Sequence, residues 1–123
     1  RSQELALAAA IDLDGGPPTA LLAAGTDGSD GPTPAAGAYA DEQTLRRARR
    51  AGVDALAALA DNASHPFFRA EGGLFVTGPT RTNVMDLALV RIDPAHLARG
   101  SGAAAGPGEQ RSNLDVSRAS KTV

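Results

Sequence analysis

The sequence predicts a layered α/β domain with a mixed, mostly parallel β-sheet that is flanked by helices. Three observations support this prediction: a segment rich in alanine and leucine opens the chain, short uninterrupted apolar runs follow, and helical segments separate those runs. Helices that alternate with short apolar strands are typical of layered α/β domains. The 123 residues are enough to bury one ordinary hydrophobic core.

The first part of the chain is predicted to contain one helix and one strand. Residues Gln3 to Leu13 favour a helix, because Leu7 and Ile11 lie four residues apart on one face and Ser2 can cap its start. The turn-forming stretch "DLDGGPPT" ends that helix. Residues 19–24 form a short apolar run between turn signals, as expected of a strand that is buried on both faces.

The second part is predicted to contain three short helical segments followed by two strands. Asp41 and Asp54 are placed to cap helices over "EQTLRRARRAG" and "ALAALA", and Ser64 with Pro66 opens a third turn. The two strand candidates are residues 74–76 and 84–92. Because only a short loop joins them, one antiparallel pair is expected in the otherwise parallel sheet.

Composition excludes several classes of protein. The net charge of −2 gives no broad basic field for nucleic acid or for an anionic membrane, and no apolar run approaches the ~20 residues of a membrane span. The basic run "RRARR" shares a predicted helix with Glu42 and is interpreted as a solvated face. The chain has no cysteine, which excludes disulfides and suits a reducing, cytoplasmic location.

The chain divides into a domain over residues 1–92 and a tail over residues 93–123. The tail contains few large apolar residues and much glycine, serine and charge, so it is predicted to be disordered. The chain opens with arginine inside a helix start, which predicts that a further segment precedes it.

The loop "GTDGSDGPTP" follows the first predicted strand and offers carboxylates and hydroxyls for a ligand. Asp27 and Asp30 could bind Mg²⁺ or accept a proton from a hydroxyl, Thr26 and Thr33 add hydroxyl groups, and Gly28 permits positive φ. The same residues also suit a structural turn, in which aspartates bond their own backbone. The loop matches no phosphate-loop or calcium-loop pattern.

The loop "TGPTRTN" follows the next strand candidate and is rich in neutral hydrogen-bonding groups. Thr77, Thr80 and Asn83 could contact a phosphate or a ribose, or they could cap free backbone groups in a strand connector. Open α/β sheets bind ligands beyond the carboxyl ends of their strands, so the two loops are predicted to lie side by side at one edge.

Three segments in a fixed order resemble a known domain family. They are "LLAAGTDGSDGPTPAAGAYAD", "LADNASHPFF" and "LFVTGPTRTNVMDLALV". Together they resemble the C-terminal MOFRL domain of the class II glycerate 2-kinases, a family often named hydroxypyruvate reductase. The opening "RSQELALAAA" is similar to the end of that family's Gly-Gly-Arg-[Asn/Ser]-Gln-Glu-Leu segment, so the resemblance covers roughly residues 1–92.

The resemblance implies a two-domain enzyme with its site in the cleft between the domains. A larger N-terminal domain, which would carry a catalytic lysine, lies outside this chain. The implied reaction transfers the γ-phosphoryl group of ATP to the 2-hydroxyl of D-glycerate, with Mg²⁺, and gives 2-phosphoglycerate and ADP. ATP, D-glycerate and the N-terminal domain are therefore the implied partners, and this piece alone is expected to be inactive.

The resemblance also implies roles for particular residues. Arg1 matches the family's active-site arginine and would clamp the glycerate carboxylate or the transferred phosphoryl group. Asp27, in the Thr-Asp-Gly motif, would act in catalysis by orienting a hydroxyl or the metal, and Asp30 is a second candidate metal ligand. The residues expected to bind substrate or nucleotide are Thr26, Gly28, Asp30, Thr33, Thr77, Thr80 and Asn83.

Two departures from the family pattern leave other functions open. Pro34 stands where the family usually has aspartate and Arg81 where it usually has glycine; a positive φ at Arg81 would strain the loop. One alternative is NAD(P)H-dependent hydroxypyruvate reduction, although the chain has no dinucleotide fingerprint. Another is a non-catalytic module that binds a metabolite or a partner chain. A homo-oligomer also stays open, because an isolated domain would expose the face that meets its partner.

Overall fold

The computed structural model describes residues 1–93, which form four helices and four strands. In chain order the elements are α1 (Ser2–Leu13), β1 (Thr19–Gly25), β2 (Gly37–Asp41), α2 (Thr44–Arg50), α3 (Ala55–Ala60), α4 (Ser64–Glu71), β3 (Leu74–Phe75) and β4 (Asp86–Ile92). The predicted tail lies outside the described residues except for Asp93. That residue is buried, and its backbone N–H donates to the Pro18 carbonyl at 3.2 Å.

The sheet has the strand order β3-β2-β1-β4, and each neighbouring pair is antiparallel. The prediction of an α/β fold with flanking helices is confirmed, but the prediction of a mostly parallel sheet is wrong. The error comes from β2, which sequence analysis did not predict as a strand and which runs back between β1 and β3. Because β1 and β3 are both antiparallel to β2, they run in the same direction and end at the same edge of the sheet.

The alanine- and glycine-rich strand β2 forms through tertiary contacts rather than through β-propensity. A Cβ atom at Gly37 would lie 1.8 Å from the Ala23 carbonyl oxygen, so only glycine allows β1 and β2 to approach this closely. On the other side of β2, the Tyr39 and Phe75 rings meet edge to face with centroids 5.4 Å apart. These contacts place β2 in the middle of the sheet.

The helix starts agree in part with the predictions. The Asp54 carboxylate accepts the Leu56 N–H at 3.0 Å and caps α3, as expected. Asp41 instead ends β2, and α2 begins two residues beyond the predicted start, after Gln43. At α4, the Ser64 N–H donates to a carboxylate oxygen of Glu4 at 3.1 Å, so a side chain of α1 supplies that cap.

The hydrophobic core lies between the helices and one face of the sheet. Alanines make up most of it and allow the layers to pack closely, while two phenylalanines of α4 supply much of the volume. The buried members of the core are Ala6, Leu7, Ala10, Ala23, Ala38, Ala40, Ala48, Ala55, Phe67 and Phe68. The paired alanines of β1 and β2 that face the helices alternate with Leu22 and Tyr39, which face the opposite side.

One arginine of the basic run ties β2, α2 and α4 together. The Arg47 guanidinium donates through Nε to Glu71 Oε1 at 2.7 Å and through Nη2 to Asp41 Oδ1 at 2.8 Å. Burial acts to lower the pKa of Arg47, but the bonds to Glu71 and Asp41 outweigh it and leave the pKa raised. The interpretation of this helix as a solvated face is therefore wrong for Arg47.

Candidate functional site

Two loops meet at the sheet edge where β1 and β3 end. The acidic loop (residues 26–36) connects β1 to β2, and the threonine loop (residues 76–85) runs from β3 to β4, the two outer strands of the sheet. The Thr80 N–H donates to the Asp27 carbonyl at 3.3 Å, and the Thr80 hydroxyl donates to the Thr26 carbonyl. The prediction that the loops lie side by side is confirmed, although the sheet between them is antiparallel.

Gly28 makes the close contact between the loops. Its φ is +89°, and a Cβ atom there would lie 2.1 Å from the Gly78 carbonyl oxygen. Any side chain at this position would therefore push the threonine loop away. The role of Gly28 in the structure is to let the two loops pack closely.

Thr26 holds the end of the threonine loop through three hydrogen bonds. Its backbone N–H and its hydroxyl both donate to the Met85 carbonyl, at 2.9 and 2.7 Å, and its hydroxyl oxygen accepts the Val84 N–H at 2.8 Å. Asn83 adds a fourth bond, because its side-chain oxygen accepts the Met85 N–H at 2.9 Å. Met85 has a φ of +71°, a strained conformation for this residue, and these bonds hold it there.

The other threonines predicted to bind a ligand also build the loops. The Thr77 hydroxyl donates to the Gly78 carbonyl at 2.8 Å, and the Thr80 hydroxyl is used in the contact with the acidic loop. These contacts favour a structural role for both hydroxyls. The amide nitrogen of Asn83, in contrast, has no hydrogen-bond partner within residues 1–93, so Asn83 retains a donor for a ligand.

Asp30 is a buried anchor for the start of α1. Its Oδ1 accepts the terminal ammonium of Arg1 and the Ser2 N–H, each at 2.8 Å, and its Oδ2 accepts the Gln3 N–H at 2.8 Å and the Gln3 Nε2 at 2.9 Å. Burial acts to raise the pKa of Asp30, but these hydrogen bonds outweigh it and leave the pKa below the ordinary value of 3.8. The Thr33 hydroxyl donates a hydrogen bond to the Asp30 backbone carbonyl and accepts one from the side-chain amide of Gln3. Thr33 therefore belongs to the same anchor.

A charged group lies above Gly25: Asp27 and Asp86 both border this glycine, and Asp86 contacts Arg1. Asp27 is exposed; its Oδ1 accepts the Ser29 N–H at 3.0 Å, and its Oδ2 has no hydrogen-bond partner in the part of the chain that the structure describes. The Arg1 Nη1 lies 2.9 Å from Asp86 Oδ2. A Cβ atom at Gly25 would lie 3.3 Å from Asp27 Oδ1 and 3.6 Å from Asp86 Oδ1, so both carboxylates border the same point.

Sequence analysis missed Asp86. It stands in the first position of β4, where its Cα pairs with that of Gly25. The signal that could have found it is this register, which requires knowing that β4 pairs with β1. The linear sequence shows only an aspartate before an apolar run, and 85 positions separate it from Arg1.

The donor set at this edge fits a magnesium ion only in part. Residues 1–93 contain no group of three or more histidine, aspartate or glutamate side chains that could hold a metal ion. Both carboxylate oxygens of Asp30 accept N–H groups at the start of α1. Of the two predicted metal ligands, Asp27 is therefore the one with a free oxygen. Mg²⁺ often uses one or two protein carboxylates and takes its other ligands from water and phosphates, so Asp27 suits that mode of binding.

Arg81 occupies the strained position that the family pattern suggested, with a φ of +63°. We expect Arg81→Gly to raise the free energy of unfolding by about 0.5 kcal/mol or more, because relief of the left-handed strain exceeds the added entropy of unfolded glycine. Urea denaturation measures the change. Arg81→Ala removes the guanidinium and keeps the strain, so equal stabilisation by alanine would contradict this explanation.

The sheet face opposite the helices is apolar and largely uncovered among the described residues. Leu87 and Leu89 of β4 point to this face beside Leu22 and are 43% and 54% exposed. A shallow cavity of about 230 Å³ borders β1 and β4 here, lined mostly by apolar side chains. No helix within residues 1–93 is both long enough and apolar enough to cross a bilayer.

Comparison with known families matches residues 1–86 to the MOFRL family model. The chain belongs to the MOFRL family. The matched range starts at Arg1 and ends at Asp86, so it includes both loops and the whole charged group above Gly25. The resemblance of the sequence motifs to this domain is thereby confirmed.

Relatives of this MOFRL domain include proteins named for a kinase and proteins named for a reductase. The D-glycerate 2-kinase of Thermotoga maritima is 47% identical over 89 residues, which cover 72% of this chain and 21% of that protein. A protein of Agrobacterium vitis named for hydroxypyruvate reductase is 42% identical over 92 residues, which cover 75% of this chain and 21% of that protein. This chain thus spans about a fifth of the length of the relatives it matches.

A solved structure supports the fold of the MOFRL domain. The crystal structure of a glycerate kinase from Thermotoga maritima aligns with a TM-score of 0.71 at 46% identity, over 74% of this chain and 22% of that one. The two-layer arrangement therefore occurs as one part of a larger enzyme.

Proposed function

We propose that this MOFRL domain supplies one half of the active site of a D-glycerate 2-kinase, which transfers the γ-phosphoryl group of ATP to the 2-hydroxyl of D-glycerate. The observation that carries the proposal is the charged group above Gly25. Asp27 has an unpaired carboxylate oxygen there, and Asp86, which borders the same glycine, bonds the exposed guanidinium of Arg1. The name of the Thermotoga maritima relative supports the choice of substrate.

Arg1 would bind the anionic part of the substrate. Its side chain is 86% exposed, and within the described residues Asp86 is its partner, so Nε and Nη2 are available for a carboxylate or phosphate. A guanidinium matches two oxygens of such a group at once and fixes its orientation.

Asp27 would act on the glycerate hydroxyl. Its Oδ1 is held by the Ser29 N–H, which fixes the carboxylate, while Oδ2 remains free to accept a hydrogen bond from the 2-hydroxyl. A carboxylate in this position orients the attacking oxygen and accepts its proton as the bond to phosphorus forms. Positioning and charge neutralisation supply most of the rate in such reactions.

ATP and Mg²⁺ complete the proposal. Bound Mg²⁺ would neutralise phosphate charge. Binding this ion is the alternative role of the Asp27 carboxylate, whose unpaired oxygen would serve either the metal or the 2-hydroxyl. Asn83, with its free amide donor at the same edge, would contact a phosphate or a sugar hydroxyl. Asp30 and Thr33 are left out of this set because their polar atoms hold the start of α1.

The remainder of the site would come from an N-terminal domain, so this chain alone is proposed to be inactive. The share of the relatives' length that the chain covers, about a fifth, supports this. The uncovered apolar face of the sheet supports association with another domain, with a homo-oligomer as the alternative. The proposal includes a cytoplasmic location, which suits a chain without cysteine.

A second candidate function is reduction of hydroxypyruvate by NAD(P)H. The name of the Agrobacterium vitis relative favours it. The chain contains no dinucleotide fingerprint, so a nicotinamide would have to bind elsewhere in the larger protein.

The test uses a completed enzyme, defined here as the longer polypeptide that contains this chain or a chimera in which residues 1–86 replace the matching segment of the Thermotoga maritima kinase. We expect ADP and 2-phosphoglycerate from ATP, Mg²⁺ and D-glycerate, and no product from the chain alone. Oxidation of NADH with hydroxypyruvate would favour the reductase. A completed enzyme that melts cooperatively and shows neither activity would overturn the kinase and leave the non-catalytic module.

A further inference from the structure

We propose that Asp86 is a positioning residue that holds Arg1 in its substrate-binding orientation, an inference that rests on the proposed kinase function. The Asp86 Oδ2 lies 2.9 Å from Arg1 Nη1, and the two residues come from opposite ends of the domain. Arg1 is the residue before α1, and its side chain is 86% exposed. A long, exposed arginine has many rotamers, and one charge-assisted bond restricts them before substrate binds.

The position of Asp86 is fixed by a strained backbone conformation at the residue before it. Met85, directly before it, has a φ of +71°, and four hydrogen bonds from Thr26 and Asn83 surround the Met85 peptide groups and Val84. Gly25 pairs with Asp86 on the other side. Strained residues persist where surrounding contacts over-determine them, and they concentrate at functional sites. Here the contacts fix the direction in which β4 begins, and with it the Asp86 carboxylate.

The ion pair between Arg1 and Asp86 contributes too little to the stability of the fold to explain the strained backbone at Met85. The side chains of Arg1 and Asp86 are 86% and 43% exposed, and exposed ion pairs contribute little to folding. Asp86 also uses only one oxygen for Arg1, and its Oδ1 borders the same point as Asp27. The arrangement therefore serves the orientation of the arginine fork, with its remaining donors directed to a substrate anion.

The decisive test is a double-mutant cycle between Arg1→Ala and Asp86→Asn in the completed enzyme. We expect Asp86→Asn alone to lower kcat/KM for D-glycerate about 10- to 100-fold, mostly through KM. In the Arg1→Ala background we expect it to cause less than a twofold further loss, because its effect acts through Arg1. Asp12→Asn, an exposed aspartate of α1, is the matched control and should change neither constant.

The same double-mutant cycle can be measured without turnover, by calorimetric titration of the wild-type and variant enzymes with D-glycerate alone. If the wild-type enzyme binds glycerate but transfers no phosphoryl group, the proposed kinase function fails while the cycle still tests Asp86. Additive losses, or an unchanged affinity in Asp86→Asn, would overturn the positioning role. A wild-type enzyme that neither binds nor phosphorylates glycerate would overturn both proposals. Loss of the melting transition in Asp86→Asn would show a structural role and overturn the inference. Asp86→Glu keeps the negative charge and checks whether that charge is sufficient.

Discussion

Asp30→Ala should lower the free energy of unfolding of the chain by about 3 kcal/mol at neutral pH. The substitution removes the acceptor of four hydrogen bonds and leaves the first N–H groups of α1 buried without partners. The side chain of Asp30 is only 4% exposed, so water cannot replace the lost acceptor. Urea denaturation followed by circular dichroism measures the loss.

The stabilising effect of Asp30 should also depend on pH. Because its pKa is lower in the folded state than in the unfolded state, acidification protonates the unfolded chain first and draws the equilibrium toward unfolding. The contribution is therefore complete above the ordinary aspartate pKa of 3.8 and disappears as the pH falls through the folded value. Asp30→Asn should be less stable than wild type at neutral pH, and the difference should shrink in acid. A loss under 1 kcal/mol in Asp30→Ala would show that α1 does not need this anchor.

The second large effect is expected from Asp27→Asn in the completed enzyme. We expect kcat to fall about 100- to 1,000-fold, because the neutral amide cannot accept the hydroxyl proton. The asparagine oxygen can still accept the Ser29 N–H, so the loop and the melting temperature should stay nearly unchanged. Steady-state kinetics with a coupled ADP assay measures the change.

The control for Asp27→Asn is Asp61→Asn, which removes an exposed aspartate at the end of α3. Its kcat should equal that of the wild type. If Asp27→Asn retains full turnover while the wild type phosphorylates glycerate, Asp27 has no part in proton transfer or metal binding, and the catalytic role passes to groups outside this domain.

Local patterns predicted most helices and three of the four strands. Asp54 was correctly predicted as a cap because capping depends only on the two residues that follow it. The strand β2 was missed because its alanines and glycine carry little β-propensity. What places it in the sheet is the close approach at Gly37 and the ring of Phe75, and neither is visible in the segment itself. The error in sheet direction followed from this omission.

The meeting of the two loops was predicted, but the separate structural contacts of their residues were not. The loops were expected together because each follows a predicted strand, and they do meet because β1 and β3 run in the same direction. Asp27 and Asp30 look equivalent in sequence, yet one is exposed and the other anchors α1, because the helix start packs over only the second. Asp86 could not be found without the register of β4 on β1.

In a polypeptide that begins at Arg1, the bond between the Arg1 nitrogen and Asp30 should make the stability in acid depend on what is joined to that nitrogen. A free ammonium gives Asp30 both a hydrogen bond and a positive charge, whereas a peptide bond or an acetyl group at the same nitrogen keeps the donor and removes the charge. A form with a free ammonium at Arg1 should therefore unfold at a lower pH than a form in which a tag or a longer polypeptide is joined there. A tag chosen for purification would thus alter a property that belongs to the fold.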